Sequence, residues 1–126
     1  MGVQSPIARV RGLGPAREGV SHWTRQRLTA ISNIVLVLWF VFSATALAGA
    51  GYEEVRAWLA SPLPASLMIL LLISTFYHAR LGVQVVIEDY VHHEGAKIAS
   101  LAAVTLIIFG LAVACIVAVL KVAIGS

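Results

Sequence analysis

The chain has 126 residues, of which 60% are hydrophobic and 12% charged, with a net charge of +3; its mean hydropathy is +0.91 and its pI about 9.5. A soluble domain of this size cannot hide so much apolar surface, so lipid is the solvent and no separate soluble catalytic domain fits. The positive balance reports membrane topology rather than nucleic-acid binding, and Cys115, the single cysteine, excludes an internal disulfide or a thiolate-held iron–sulfur cluster within the chain.

Residues 1–20 hold Gly2, Gly12, Gly14, Gly19, Pro6 and Pro15 together with Arg9, Arg11 and Arg17. This composition predicts an irregular cytoplasmic arm over 1–21, attracted to anionic headgroups or docked on a soluble partner. Ser21 is the expected N-cap of a helix starting at His22, and Trp23 suits an interfacial anchor. After Arg25 and Arg27 the chain carries no charge from Leu28 to Ala50, which predicts the first transmembrane helix. That run is long enough to span, so it reads as retained rather than as a cleaved signal peptide. Thr29, Ser32 and Asn33 in its first turns are expected to face protein rather than lipid.

Gly49 and Gly51 close that span. Glu53, Glu54 and Arg56 mark a short loop, and VRAWLA, with Trp58 as anchor, predicts a turn of interfacial helix. The second transmembrane helix is expected over about 65–88, a loop over Asp89–Lys97, and a third helix over about 98–120, closed by Lys121. Gly110 and several alanines in the third span would let a neighbouring helix approach closely. Arg9, Arg11, Arg17, Arg25, Arg27 and Lys97 fall on one side, Arg56 and Lys121 on the other. The positive-inside rule then puts the N-terminus and the Asp89 loop in the cytoplasm and the C-terminus outside. The fold class is an all-α membrane protein of three transmembrane helices in a single domain over 1–126.

The chemistry concentrates in Tyr77–Glu94. On a helix, His78 and Asp89 project within about 20° of each other and lie about 16 Å apart along the axis. With Asp89 at the surface, His78 falls near the middle of a core about 30 Å thick. A histidine there either ligates a haem iron through a neutral imidazole nitrogen or hydrogen-bonds a neighbouring helix. Gly82, one turn on, would leave room for a flat macrocycle. Tyr90 can donate to a quinone carbonyl with Asp89 relaying protons, or the pair is a solvated helix end. Tyr77, Arg80, Gln84 and Glu88 form a second stripe on a different face: a structural polar seam, a counter-charge for an anionic cofactor group, or part of a proton route. Arg27 reads as a partner for a haem propionate or as an ordinary positive-inside arginine. His22, His92 and His93 read as solvated groups that could also ferry protons.

Together these residues resemble a known family, the small hydrophobic anchor subunit of succinate dehydrogenase (respiratory complex II). The resemblance rests on His78 followed after ten residues by Asp89–Tyr90, with Gly82 between. It rests also on GVSHWTRQRLTAIS at the mouth of the first helix and on the three-span layout. It implies a membrane-anchor subunit of succinate:quinone oxidoreductase in the bacterial inner membrane, N-terminus cytoplasmic and C-terminus periplasmic. It implies that His78 is one axial ligand of a haem b, with the other histidine from the large cytochrome b anchor subunit. Tyr90 and Asp89 would serve ubiquinone, and Arg27 would lie near the propionates and the quinone. The remaining partners implied are the iron–sulfur and flavoprotein subunits. An anchor of fumarate reductase and a cofactor-free scaffold or transporter subunit are the alternatives.

Overall fold

The computed structural model describes residues 15–125. Four helices follow one another: α1 (Pro15–Ala46), α2 (Tyr52–Ala60), α3 (Pro62–Tyr90) and α4 (Glu94–Ile124). No strand occurs among the described residues. Three helices are long and apolar enough to cross a membrane, over Val20–Ala46, Pro62–Tyr90 and Glu94–Ile124. The all-helical, three-span expectation is met.

The boundaries differ in instructive ways. Residues 1–14 lie outside the described residues, so the arm expected over 1–21 is seen only from Pro15, and there the backbone is already helical. Proline suits the first helical position, where its missing N–H would have no intrahelical partner. Ser21 is therefore inside α1 rather than its N-cap. At the other end α1 stops at Ala46, short of the expected Ala50. The chain turns there through Leu47 N to Ser43 O at 3.0 Å, Ala48 N to Thr45 O at 3.2 Å and Ala50 N to Leu47 O at 2.9 Å. Gly49 takes φ +84°, a left-handed conformation that glycine adopts without steric cost.

The expected single turn of interfacial helix is a nine-residue helix, α2. Trp58 stacks on Trp39 of α1, centroids 5.7 Å apart and planes 19° apart, and Arg56 donates to the Gly125 carbonyl at the end of α4. α2 is thus tied to the first span and to the end of the last. α3 begins at Pro62 behind Ser61, three residues earlier than expected, again with proline at the first position. Its last residue is Tyr90, and the loop expected over Asp89–Lys97 shrinks to Val91–His93. His93 is the reason. Its Nδ1 accepts from Ala96 N at 3.2 Å and caps α4, which lets that helix start at Glu94.

α3 is the central element. It packs on α1 along one side and on α4 along the other, while α2 packs on α3 and α4. The interior is thin: among the described residues Leu36, Leu59, Ser74, Leu81 and Ile87 are the buried ones, and α4 contributes none. Large apolar side chains such as Phe42, Leu106 and Phe109 lie exposed along the spans. In lipid this carries no penalty, because helix association there rests on packing and interhelical hydrogen bonds.

Candidate functional site

α3 enters the site from the apolar side. Its first half contacts α1 through a set of polar groups inside the span. Ser74, 9% exposed, donates to Asn33 Oδ1 at 2.7 Å, and its Oγ also lies 3.4 Å from the Thr29 carbonyl. One turn further along α3, His78 Nδ1 lies 3.0 Å from Thr29 Oγ1. Thr29 and Asn33 are one turn apart on α1, and Ser74 and His78 one turn apart on α3, so two i,i+4 pairs meet face to face. Of Thr29, Ser32 and Asn33, expected to face protein, Thr29 and Asn33 do so through these bonds, while Ser32 is half-buried with no side-chain hydrogen bond among the described residues. The pairing of Thr29 and Asn33 with Ser74 and His78 is an addition to that expectation. The signal available in the sequence is the matched spacing of small polar residues in two apolar spans.

His78 is half-buried. Among the described residues its one hydrogen bond is the Nδ1 contact, and Nε2 makes none. An added Cβ on Gly82 would meet nothing within 4 Å, so the face one turn beyond His78 is open. A neutral imidazole with one engaged nitrogen and an open flank has the donor chemistry for single axial ligation of a haem iron. No group of three or more His, Cys, Asp or Glu side chains that could hold a metal occurs among the described residues.

Asp89 and Tyr90 end α3. Both are exposed, Tyr90 at 78%, and neither makes a side-chain hydrogen bond or ion pair among the described residues. Arg27 lies on the exposed surface of α1 with its guanidinium carbon 5.5 Å from the Trp23 ring centroid. That cation–π contact orients the arginine but leaves its N–H groups unspent. The sole ion pair among the described residues, Arg56–Glu53 at 3.9 Å, is on α2. Arg27 and Asp89 are thus not brought together by this chain alone.

The second stripe behaves as its spacing predicts. Arg80 donates to Gln84 Oε1, and Gln84 Nε2 donates to Glu88 Oε1 at 2.9 Å. Arg80 stands two positions after His78, about 200° of helix rotation. It accordingly lines a groove of about 370 Å³ between α3 and α4, with Tyr77, Phe76, Thr105 and Phe109. It faces away from the imidazole. His93 is a capping residue, while His92 is exposed. His22 is half-buried with Nε2 unpartnered among the described residues. Cys115 is a free thiol.

Against known proteins, a family model described as the succinate dehydrogenase/fumarate reductase transmembrane subunit matches residues 1–119. The chain is similar to the succinate dehydrogenase hydrophobic membrane anchor subunit of Rickettsia bellii, at 33% identity over 88 residues, 70% of each chain. It is similar to the subunit of that name from Paracoccus denitrificans, at 30% identity over 109 residues, 86% of this chain and 82% of that one. A third, from Rickettsia conorii, is 28% identical over 91 residues, 71% of this chain and 72% of that one. No solved structure gives a significant match.

Proposed function

This chain belongs to the succinate dehydrogenase/fumarate reductase transmembrane subunit family, and we propose that it is an anchor that holds one side of a haem b and one edge of a ubiquinone site. The observation that carries the reading is the layout of α3. A half-buried imidazole sits within the span, Asp89 follows eleven residues on along the same face, and the exposed Asp89–Tyr90 pair ends the helix.

In this reading His78 would hold the haem iron through a ring nitrogen, together with a histidine of the large cytochrome b anchor subunit. When bound, the haem supplies a one-electron redox centre inside the membrane. The open flank at Gly82 would leave room for its ring. Arg27, held at the mouth of α1, offers bidentate N–H groups to carboxylates such as the propionates.

The quinone work falls to the other end of α3. The Tyr90 phenol donates a hydrogen bond to a quinone carbonyl oxygen, which gains electron density on reduction. Asp89 holds negative charge beside it and takes and passes protons at the surface. Reduction of ubiquinone consumes two electrons and two protons. The flavoprotein and iron–sulfur subunits deliver the electrons from succinate, and the protons enter from the cytoplasm. The excess of basic residues at the Asp89 end supports a cytoplasmic position for that end and the N-terminus, in a bacterial inner membrane, with the C-terminus in the periplasm. The thin interior and the exposed apolar face of α4 support insertion into a larger bundle with the large anchor subunit.

Tyr90→Phe in the whole complex tests the quinone role. Tyr90 packs on nothing in this chain that the hydroxyl sustains, so assembly and haem content are expected to stay normal. A hydrogen bond to an oxygen acquiring charge is worth about 1.5–3 kcal/mol, or roughly 10- to 150-fold in kcat/KM for quinone. Succinate oxidation with an artificial acceptor should be untouched. Normal quinone turnover in the variant would remove Tyr90 from the site.

A further inference from the structure

We propose that Thr29 is a positioning residue for His78: its hydroxyl fixes the ring and its tautomer, so that Nδ1 carries the proton and Nε2 presents its lone pair away from α1. The proposal rests on the haem reading above and adds to it the group that prepares the ligand.

The surroundings of the hydroxyl and of the ring favour one tautomer. A threonine hydroxyl has one hydrogen to give and two lone pairs to receive with. Three atoms surround Thr29 Oγ1 at 3.0 Å: the Arg25 carbonyl, the Gln26 carbonyl and His78 Nδ1. The two carbonyl oxygens can only accept. The hydroxyl hydrogen therefore goes back to the preceding turn, as threonines inside helices commonly arrange. In this arrangement Oγ1 faces the imidazole with a lone pair and Nδ1 is the donor. The opposite assignment would put the ring hydrogen on Nε2, which has no acceptor among the described residues. A bare N–H in an apolar span is costly.

The contact is held, not incidental. One turn deeper in the span, Ser74 Oγ reaches both Asn33 Oδ1 at 2.7 Å and the Thr29 carbonyl at 3.4 Å. This clamp sets the axial register of α1 against α3, and with it the height of Thr29 opposite the ring. The Nδ1–H···Oγ1 bond also raises the basicity of the other nitrogen, the usual effect of a partner behind a metal-bound histidine. A more basic axial nitrogen favours ferric over ferrous iron.

The test uses the intact complex carrying Thr29→Val, which keeps the shape and removes the hydroxyl, with Thr29→Ser and His78→Ala beside it. The readouts are the haem midpoint potential by redox titration, the low-spin ferric electron paramagnetic resonance signal, and the haem-to-flavin ratio. A hydrogen bond of ordinary net worth corresponds to roughly a fivefold shift in the ferrous-to-ferric equilibrium, or about 40 mV at 59 mV per tenfold for one electron. Thr29→Val should raise the potential by that order and shift the resonance signal, with haem retained, and Thr29→Ser should restore both. A Thr29→Val complex with wild-type potential and signal overturns the proposal, as does a Thr29→Ser complex no better than the valine variant. Where Thr29→Val does not assemble, Thr29→Ala carries the same loss of hydroxyl and is read by the same two signals. If His78→Ala retains a wild-type haem signal, the haem reading itself fails; if His78→Ala loses the haem and Thr29→Val changes nothing, only the Thr29 proposal fails.

Discussion

Replacing Ser74 by alanine removes the polar tie that holds α1 and α3 together inside the span. Ser74 is 9% exposed, and its hydroxyl donates to Asn33 Oδ1 over 2.7 Å. Interhelical hydrogen bonds in membranes average about 0.6 kcal/mol and reach about 1.7. A buried acceptor left without its donor costs about 1–3 kcal/mol. Ser74→Ala should therefore weaken the α1–α3 contact by about 1–2 kcal/mol, and Asn33→Ala by a similar amount. The double variant should fall short of the sum by about 1 kcal/mol, since the second change removes a group already orphaned by the first. Fluorescent labels on α1 and α3 would report their separation while the whole assembly is titrated with sodium dodecyl sulfate. Effects that add to within about 0.3 kcal/mol would refute the reasoning, because two residues that share a bond cannot act independently.

Contacts away from the Asn33–Ser74 tie make two more expectations testable. His93→Ala should cost the N-terminus of α4 about 1 kcal/mol, visible as roughly fivefold faster amide exchange at Ala96, while His93→Asn, which keeps an acceptor at that position, should exchange like wild type. Gly82→Leu, whose Cβ would meet nothing within 4 Å of this chain, should lower the haem-to-flavin ratio of the complex; unchanged haem content would show that this flank holds no ring.

Much of the architecture is legible in the sequence because lipid imposes simple rules. Runs without charge have to be spans, and Arg25, Arg27 and Lys97 against Arg56 and Lys121 distinguish the two ends of the bundle by charge alone. The family membership read from His78, Gly82, Asp89 and Tyr90 is borne out by the match over residues 1–119. The boundaries are less legible where a residue can play two local roles. Pro15 suggests an irregular arm but also suits a first helical turn, and the backbone is helical from there. His93 looks like a loop residue, and only the folded backbone brings Ala96 N to its ring nitrogen.

The polar clamp is beyond the sequence for a different reason. Thr29 and His78 are 49 positions apart, and which turn of α1 meets which turn of α3 is set by side-chain packing and by the length of the α1–α2 connection. Spacing within each span says that Thr29 and Asn33 share a face, but not that Ser74 and His78 stand opposite them. Arg80 shows the converse. Its spacing with Gln84 and Glu88 already sets it on a face distinct from that of His78, and the fold turns that face to the groove with Thr105 and Phe109.

The most direct test is a dithionite-reduced minus oxidised optical spectrum of the complex purified through a tag on this chain, for wild type and for His78→Ala. The account predicts a b-type haem signal in the wild type together with the dehydrogenase subunits, and loss or displacement of that signal in the variant. A wild-type complex that contains the dehydrogenase subunits but no haem, or a His78→Ala complex with an unaltered haem spectrum, would contradict it.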